Sequence, residues 1–409
     1  MKNRMVKGKR LGIILAVGLS ALLLLTACAP APLSEEQKVV KIGLISNLTG
    51  PVATANQLGL VAMLDGLRYW NEEMGIPGVA IELVWRDSKY DRSLEISSYR
   101  LYIDSGVIAV MIFTPPGMFK PMVERDEVPM LAGSITGETM YPPGWVYSYT
   151  PTEAERFTVL ADWIMENWRE ERPPRVAFVV PDTEYTVEPL DECEQYTESI
   201  GMEWLPTEFV PYVVLDSTIQ LLRLREQGAD FIYIGPHWSV AIPVLRDAER
   251  LGLMDKIRFC GMEATLTKGV VNMLGPTLEG YLVAKGCPAW TEVENPGIKW
   301  AQEMHLRYHG TKETPDYYEE SMVRASAVLP EAIKRAIEKV GYENLDGRAV
   351  KEALETLEDF DPYGYGTPIT YTNPEVRRGS GLARVYQVEG GDVVPASDWR
   401  ETPIIWPVK

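Results

Sequence analysis

The sequence predicts an α/β protein of two lobes, each built around a sheet of parallel strands. From residue 39 onward, short apolar runs alternate with segments whose apolar residues recur at helical spacing. Runs such as residues 107–113 (VIAVMIF) are apolar throughout, which is typical of parallel strands covered by helices on both faces. The alternation gives roughly ten strands and eight helices, too many for one sheet of ordinary size. The length of 409 residues fits two or three domains.

The predicted elements follow one another along the whole body of the chain. The predicted strands are residues 39–46, 79–85, 107–113, 128–132, 175–180, 204–210, 229–235, 256–261 and 278–285. Apolar helix faces are indicated by Leu60, Leu64 and Leu67, by Phe157, Leu160, Ile164 and Trp168, by Ile333, Ile337 and Val340, and by Val350, Leu354 and Leu357. Residues 384–388 and 393–394, separated by Gly390 and Gly391, predict a β-hairpin. We expect the chain to change lobe at residues 149–151 and 284–290.

The composition excludes several classes of partner. The formal net charge is −18, so nucleic-acid phosphates and anionic lipid headgroups are repelled. Four cysteines exclude a disulfide-rich scaffold, and three histidines leave little room for a histidine-built metal site.

The first 28 residues predict a lipoprotein signal peptide. A basic segment precedes residues 11–25, which are apolar or small, and at about 1.5 Å per residue that helix is too short for a bilayer core of roughly 30 Å. Residues 25–28 (LTAC) resemble a bacterial lipobox, in which Cys28 becomes the lipid anchor. Residues 29–38 then form a tether. An N-terminal anchor helix is the alternative. Either way, we expect an extracytoplasmic protein, attached to the outer face of the cytoplasmic membrane.

Three cysteines remain in the body of the chain. An oxidising compartment would allow Cys260 and Cys287, which each end an apolar run, to form a disulfide. Three separate buried thiols, including Cys193, are an equally good interpretation.

The sequence lacks the common catalytic and cofactor motifs. There is no dinucleotide-binding glycine loop, no P-loop, no nucleophile elbow and no Cys-x-x-Cys pair. His305 and His309 stand four residues apart on a predicted helix, but Leu306 occupies the position where a zinc hydrolase has its glutamate. We therefore predict no cofactor, no metal and no enzyme. A secreted hydrolase using Asp182 and Glu263 remains an alternative.

Polar and aromatic residues follow the predicted strands, where open α/β sheets bind ligands. In the first half these are hydroxyl-bearing loops at residues 46–51, 114–117 and 133–137, suited to a carboxylate. In the second half they are Tyr185, Trp238 and the carboxylate Glu263. Together they suit a small zwitterion whose side chain lies against the aromatics and Ile135. Ordinary turn chemistry is the alternative explanation of each loop.

Several short motifs occur in a distinctive order. They are the lipobox, residues 48–51 (LTGP), residues 71–78 (NEEMGIPG), Asp87 with Asp91, residues 230–235 (DFIYIG), and Gly261 with Glu263. In this order they resemble the type I periplasmic binding proteins of the Leu/Ile/Val-binding group, the ligand receptors of ATP-driven importers. The resemblance implies two doubly wound, Rossmann-like lobes joined by three crossover strands, the third at residues 365–371. The first lobe would then comprise residues 39–150 and 287–365, and the second residues 151–286 and 366–409.

The resemblance also implies the ligand-binding residues. A hydroxyl pair in the first lobe holds the ligand carboxylate, which points to Thr136 and Ser134, while a glutamate in the second lobe, here Glu263, holds the α-ammonium. Aromatic positions of the family match Tyr185 and His237, with Trp238 adjacent. The serine-rich loop of the family is here Thr114-Pro115-Pro116-Gly117, where Thr114 is the remaining hydroxyl and the prolines lack N–H donors.

The resulting functional hypothesis is a lipid-anchored substrate-binding protein of an ABC importer. It would bind an apolar or aromatic amino acid, or a related small amide, by clamshell closure, and deliver it to a permease with its ATPase subunits. A ligand-sensing receptor on the same fold, without transport, is the alternative.

Overall fold

The computed structural model describes residues 38–50 and 52–406 as an α/β protein with two sheets, which confirms the predicted fold class. Its strands are β1 (Lys38–Ser46), β2 (Val79–Asp87), β3 (Val107–Ile112), β4 (Met130–Ala132), β5 (Val146–Ser148), β6 (Arg175–Val180), β7 (Glu203–Trp204), β8 (Glu208–Phe209), β9 (Phe231–Ile234), β10 (Arg258–Gly261), β11 (Leu282–Lys285), β12 (Leu382–Glu389), β13 (Asp392–Pro395) and β14 (Arg400–Glu401). Its α-helices are α1 (Ala53–Tyr69), α2 (Arg92–Asp104), α3 (Lys120–Asp126), α4 (Gly137–Met140), α5 (Glu153–Asn167), α6 (Glu184–Val187), α7 (Leu190–Ser199), α8 (Thr218–Gln227), α9 (Trp238–Arg250), α10 (Lys268–Leu274), α11 (Pro296–His309), α12 (Tyr318–Glu320), α13 (Ser326–Val340) and α14 (Gly347–Leu354).

The predicted signal peptide, the lipid-anchor residue Cys28 and the tether up to residue 37 lie outside the described residues. Within the described part of the chain, no helix combines the length with the unbroken apolar character that a bilayer span requires.

The first lobe consists of the five-stranded sheet and the helices that pack on it. Its order is β2-β1-β3-β4-β5, with every pair parallel. One face packs on α1, α13 and α14 through residues such as Leu67 and Leu329, and the other packs on α2 through Tyr99 and Tyr102. The strand order changes direction between β1 and β3, which opens a crevice at the carboxyl ends of those strands.

The second lobe is built on the larger sheet, whose main order is β13-β12-β11-β10-β9-β6-β7. Strands β6, β9, β10 and β11 are parallel, and β12 runs antiparallel to β11. Helix α9 packs on one face through Val240 and Val244, and α5 packs on the other through Phe157 and Leu160. The order reverses between β6 and β9, so this lobe also has a crevice at its carboxyl edge.

Two predicted strands differ from the observed ones, and the short strand β5 lacks a prediction. The strand predicted over residues 204–210 is two short strands, β7 and β8, because Pro206 between them has no N–H for the ladder. The strand predicted from residue 278 begins at Leu282, after a 3₁₀ turn (Gly275–Leu278) and a positive φ at Gly280. Strand β5 was not predicted, because three residues are too few to show a period.

The chain passes between the lobes at its first two crossovers close to Ser148 and Cys287. Strand β5 ends in the first sheet at Ser148, and the next helix, α5, packs on the second sheet. Strand β11 ends in the second sheet, and Cys287 then packs with Ala62 and Ile298 of the first lobe.

The third crossover lies later than residues 365–371. Ile369 and Tyr371 are buried in the core of the first lobe, and the Tyr371 hydroxyl donates to the Ser148 carbonyl at 2.8 Å. Pairing with the second sheet begins only at Leu382. Residues 366–371 therefore pack with the first lobe, and the predicted boundary at residue 365 is wrong. The reason is that the Tyr371 ring packs against the Tyr147 ring of the first lobe, with centroids 5.2 Å apart.

The first two crossover segments touch at Gly286. A Cβ on Gly286 would lie 2.6 Å from the Thr150 hydroxyl oxygen and 2.8 Å from the Pro151 ring, so only glycine fits. The Gly286 carbonyl accepts a hydrogen bond of 2.8 Å from the buried guanidinium of Arg324.

Cys193, Cys260 and Cys287 are separate buried thiols, so Cys260 and Cys287 are not paired. The Cys287 thiol donates instead to Glu263 at 3.0 Å.

Candidate functional site

A cavity lies between the lobes, at the carboxyl ends of both sheets. Its volume is about 180 Å³, which is room for on the order of ten waters. From the first lobe it is lined by Val52, Ala55, Asn56, Gly59, Tyr90, Phe113, Thr114, Pro115, Gly133, Ser134, Tyr149, Tyr317, Glu320 and Ser321. From the second lobe it is lined by Glu153, Arg156, Thr183, Tyr185, Tyr212, Pro236, His237, Glu263 and Ala264. This position is the one that the strand orders predict.

Contacts across the cavity mouth hold the lobes together. Arg92 of the first lobe donates to Glu184 of the second at 2.7 Å, and also to the Pro115 carbonyl at 3.2 Å. Tyr90 packs against Tyr212, with ring centroids 6.1 Å apart. On the opposite side, Lys268 pairs with Glu319 at 2.8 Å.

The first-lobe hydroxyls are largely engaged by carboxylates of the protein. Thr114 lines the cavity, but its hydroxyl donates to Glu95 at 3.2 Å. Thr136 is fully buried, caps the short helix α4 and donates to Glu188 of the second lobe, and it does not line the cavity. Ser134 does line it. A hydroxyl pair of Ser134 and Thr136 is therefore not presented together to a ligand.

Glu263 lies in the cavity wall, where it is already saturated with partners. Its Oε1 lies 2.9 Å from Lys285 Nζ and accepts from the Cys287 thiol, and its Oε2 lies 3.4 Å from Arg156 and accepts from the Gly286 N–H at 3.2 Å. Burial raises the pKa of Glu263, but the positive charges of Lys285 and Arg156 outweigh it, so the pKa falls well below its usual range. Glu263 is an anion with its counter-charges in place.

Glu153, Arg156 and Tyr185 form a second buried group on the same wall. One oxygen of Glu153 pairs with Arg156 and accepts from the Tyr185 hydroxyl at 2.6 Å. The other oxygen has no hydrogen-bond partner among the described residues. Burial raises the pKa of Tyr185, so its hydroxyl stays protonated and donates.

His237 and Trp238 occupy the start of α9. His237 Nδ1 accepts from the Ser239 N–H at 3.4 Å, while Nε2 is buried without a partner among the described residues. Burial lowers the pKa of His237 to about 4, so the ring is neutral at physiological pH. Trp238 is not a lining residue, but it stacks on Tyr317, which is.

The site is completed by five tyrosines in the wall and by Glu320. Of these residues, the sequence indicated only Tyr185. The others are Tyr90, Tyr149, Tyr212 and Tyr317. Tyr90 and Tyr317 both have left-handed backbones, with φ of 60° and 61°, a conformation that non-glycine residues adopt rarely and often at functional sites. The one sequence signal was the dense aromatic and acidic run at residues 316–320 (DYYEE), which follows a helix rather than a strand.

A metal site is disfavoured at the cluster of Glu263, Cys287 and Glu320. One ligand atom of each lies within 4.8 Å of the others. However, Lys285 and Arg156 already supply positive charge to Glu263, and burial raises the pKa of the Cys287 thiol, which therefore stays protonated. The two histidines of α11 are likewise engaged: His305 contacts the Thr311 carbonyl at 2.9 Å, and His309 pairs with Asp65 at 2.7 Å.

The chain belongs to the periplasmic binding protein family, which it matches over residues 39–392. The Leu/Ile/Val-binding protein of Citrobacter freundii is 21% identical over 269 residues, covering 64% of this chain and 72% of that protein. Among solved structures, a branched-chain amino acid ABC transporter protein from Thermus thermophilus with bound valine superposes with a TM-score of 0.79 at 22% identity, covering 90% of this chain and 98% of that one. A fatty acid ABC transporter substrate-binding protein from Thermomonospora curvata reaches 0.78 at 18% identity, covering 90% and 94%.

Proposed function

We propose that this protein is an extracytoplasmic substrate-binding protein of an ABC importer, and that it binds an apolar or aromatic amino acid, or a related small amide, between its lobes. The observation that carries the proposal is the cavity formed jointly by the carboxyl ends of both sheets. Family membership supports the same role, and so do the relatives named for branched-chain amino acids.

The proposed mechanism is closure of the lobes on the ligand. A solute in the cavity touches both lobes and therefore stabilises the closed state relative to the open one. The contacts of Arg92 with Glu184 and of Thr136 with Glu188 form only when the lobes meet, so they stabilise the same state. No bond of the solute is broken: Asp182, which a hydrolase would need, is exposed and does not line the cavity.

The proposed binding residues fall into two groups. Thr114, Ser134, Tyr185, His237 and Glu263 line the cavity. Thr136 and Trp238 lie behind it and act indirectly, Thr136 through Glu188 and Trp238 through the Tyr317 ring. In this proposal the partners are the solute, a permease with ATPase subunits, and the membrane through a lipid on Cys28.

Two measurements on protein purified without refolding test the binding role. Native mass spectrometry detects a co-purified solute, and thermal shift over amino acids, their amides, amines and small acids detects added ones, because a ligand that binds only the folded state raises the Tm. We expect at least one compound to bind wild type and to lose its effect in Ala55→Trp, which places an indole in the cavity.

Thr54→Trp is the matched control, because Thr54 is exposed one position earlier on the same helix and does not line the cavity. The proposal fails if no solute co-purifies and no compound shifts the Tm. It also fails if Ala55→Trp binds as well as Thr54→Trp.

A further inference from the structure

We propose that Glu320 receives the ammonium group of the ligand, and that the cavity selects small organic amines with an apolar body over the corresponding acids. This inference rests on the proposed function and names the class of solute for the same site. It assigns the charge-recognising role to a residue of the α12 segment rather than to Glu263.

Glu263 has no free acceptor position for a ligand. An ionised carboxylate offers about four lone-pair sites, and in Glu263 they face Lys285, Arg156, the Cys287 thiol and the Gly286 N–H. An ammonium group would have to displace one of these partners and leave it buried without a bond, which is costly. Glu153 is half committed, since one oxygen already takes Arg156 and Tyr185, while the other has no partner among the described residues.

Glu320 is the lining carboxylate that stays uncommitted. It is partly exposed, and it makes no hydrogen bond or ion pair with any residue in the described part of the chain. Its neighbour Glu319 points elsewhere, to Lys268 and Thr314. Glu320 ends α12 directly before a π-helical turn (Ser321–Ala325), a rare geometry that is frequent at functional sites.

Three orphaned polar atoms indicate independently that the cavity wall expects a polar ligand. Glu153 Oε2, Arg156 Nε and His237 Nε2 lack partners among the described residues, although their residues are only 5%, 4% and 7% exposed. Buried polar groups are nearly always hydrogen-bonded, so such atoms in a cavity wall mark contacts completed by a solute or water. Because Nδ1 of the neutral His237 accepts from the Ser239 N–H, its proton lies on Nε2, which donates, whereas the free Glu153 oxygen accepts an N–H from a ligand.

The aromatic walls suit the same charge. Tyr90, Tyr149, Tyr185, Tyr212 and Tyr317 line the cavity together with Phe113. Aromatic faces attract cations, and several of them around a carboxylate recognise primary and methylated ammonium groups alike. The left-handed Tyr317 lies three residues before Glu320, so one short segment supplies both an aromatic face and the carboxylate.

The loops that follow the first-lobe strands offer little to a ligand carboxylate. Pro115 and Pro116 have no N–H, the Thr114 hydroxyl donates to Glu95, and Thr136 is withdrawn behind the wall. Arg156 is shared between two glutamates of the protein. Among Glu153, Glu263 and Glu320, an acid would therefore meet a surplus of carboxylates.

The test compares amines and acids that share one apolar body. The probes are 3-methylbutylamine with 4-methylpentanoate, and phenethylamine with 3-phenylpropionate, together with L-leucine and L-phenylalanine. They are titrated by calorimetry into wild type, Glu320→Gln and Glu313→Gln. The last variant is the charge-matched control, because Glu313 is an exposed glutamate of the preceding loop. We expect amines to bind wild type and Glu313→Gln, the acids to fail, and Glu320→Gln to bind amines about 10- to 100-fold more weakly.

Glutamine keeps the shape of Glu320 and removes a negative charge that lies close to that of Glu263, so the variant is expected to fold, with an unchanged or raised Tm. Equal amine affinity in Glu320→Gln and wild type would overturn the role of Glu320 while leaving the proposed function standing. Preference of wild type for the acids, or no amine binding in the panel, would overturn the solute class. The proposed function falls as well only if amino acids, amides and acids also leave the Tm unchanged.

Discussion

The two walls of the cavity use their polar groups differently. On the second-lobe wall, Glu153, Arg156 and Glu263 neutralise one another, and Lys285 adds a further positive charge. On the first-lobe wall, Thr114 is engaged by the protein, whereas Glu320 has no partner among the described residues. The second-lobe wall is a charge-balanced network, whereas the first-lobe wall presents the carboxylate of Glu320 without an ion-pair partner among the described residues.

The difference shows that the type of a residue and its availability to a ligand are separate properties. Glu263 stands after a strand and faces the cavity, as a ligand-binding residue should. Its partners Lys285 and Arg156 come from β11 and α5, far away in sequence, and they use its acceptor positions before any ligand arrives.

Removing Arg156 should have the largest effect on stability, because Arg156 pairs with both Glu153 and Glu263. Arg156→Met leaves Glu153 facing Tyr185 alone and Glu263 facing Lys285, with a buried charge uncompensated. We expect the free energy of unfolding to fall by about 3–5 kcal/mol, measured by urea denaturation. Arg169→Met, an exposed arginine just after the same helix, should change it by no more than about 0.5 kcal/mol. A loss below about 1 kcal/mol for Arg156→Met would show that the network is not what stabilises this wall.

Lowering the pH should weaken amine binding, because it protonates the carboxylate of Glu320. Burial and the nearby charge of Glu263 raise the pKa of Glu320, while Arg324, Lys285 and Arg156 lower it, with a net rise. An ammonium group binds the ionised form, so affinity is full above this raised pKa and falls by roughly tenfold per pH unit below it. Calorimetry with phenethylamine should find the fall at a higher pH than for an ordinary glutamate, and the fall should be absent in Glu320→Gln. The same pH dependence in that variant would assign the titration to another group.

The ion pair at the cavity mouth should contribute little. Arg92 and Glu184 are 43% and 37% exposed, so solvent screens them. A double-mutant cycle with Arg92→Met and Glu184→Gln should give a coupling free energy of about 0.2–1 kcal/mol, in unfolding or in ligand affinity, that shrinks at high salt. A coupling of several kcal/mol would mean that the rim, rather than the two walls, governs closure.

The smallest effect is expected at Thr114. Because its hydroxyl donates to Glu95 within the first lobe, Thr114→Val should leave the affinity for L-phenylalanine within about threefold of wild type. Thr114→Ser keeps the hydroxyl and serves as the control. If Thr114→Val lowered the affinity for L-phenylalanine tenfold or more while Thr114→Ser kept full affinity, this hydroxyl would be shown to hold the ligand carboxylate.

Much of the fold was predictable, because each strand of the parallel sheets carries its own local signal. Residues 107–113 and 175–180 are apolar throughout, and Leu60, Leu64 and Leu67 mark a helix face by spacing alone. The third crossover was misplaced because the contacts of Ile369 and Tyr371 are with distant residues of the first lobe. Part of the candidate site was missed for a related reason. Loops that follow strands are recognisable in the sequence, but Tyr317 and Glu320 enter the cavity from a segment between helices, and the left-handed backbone at Tyr317 leaves no mark in the sequence.

The contact of Glu263 with Gly286 places part of the charge network at a segment that joins the lobes. Thr150, on the adjoining crossover, accepts from Arg156 at 2.9 Å, so both crossover segments are tied to the same ions. In the closure proposed above, groups at the joining segments move least, and this network would therefore keep its arrangement while the mouth opens. An arriving solute meets dipoles that are already oriented, and it does not have to spend binding free energy on rearranging them.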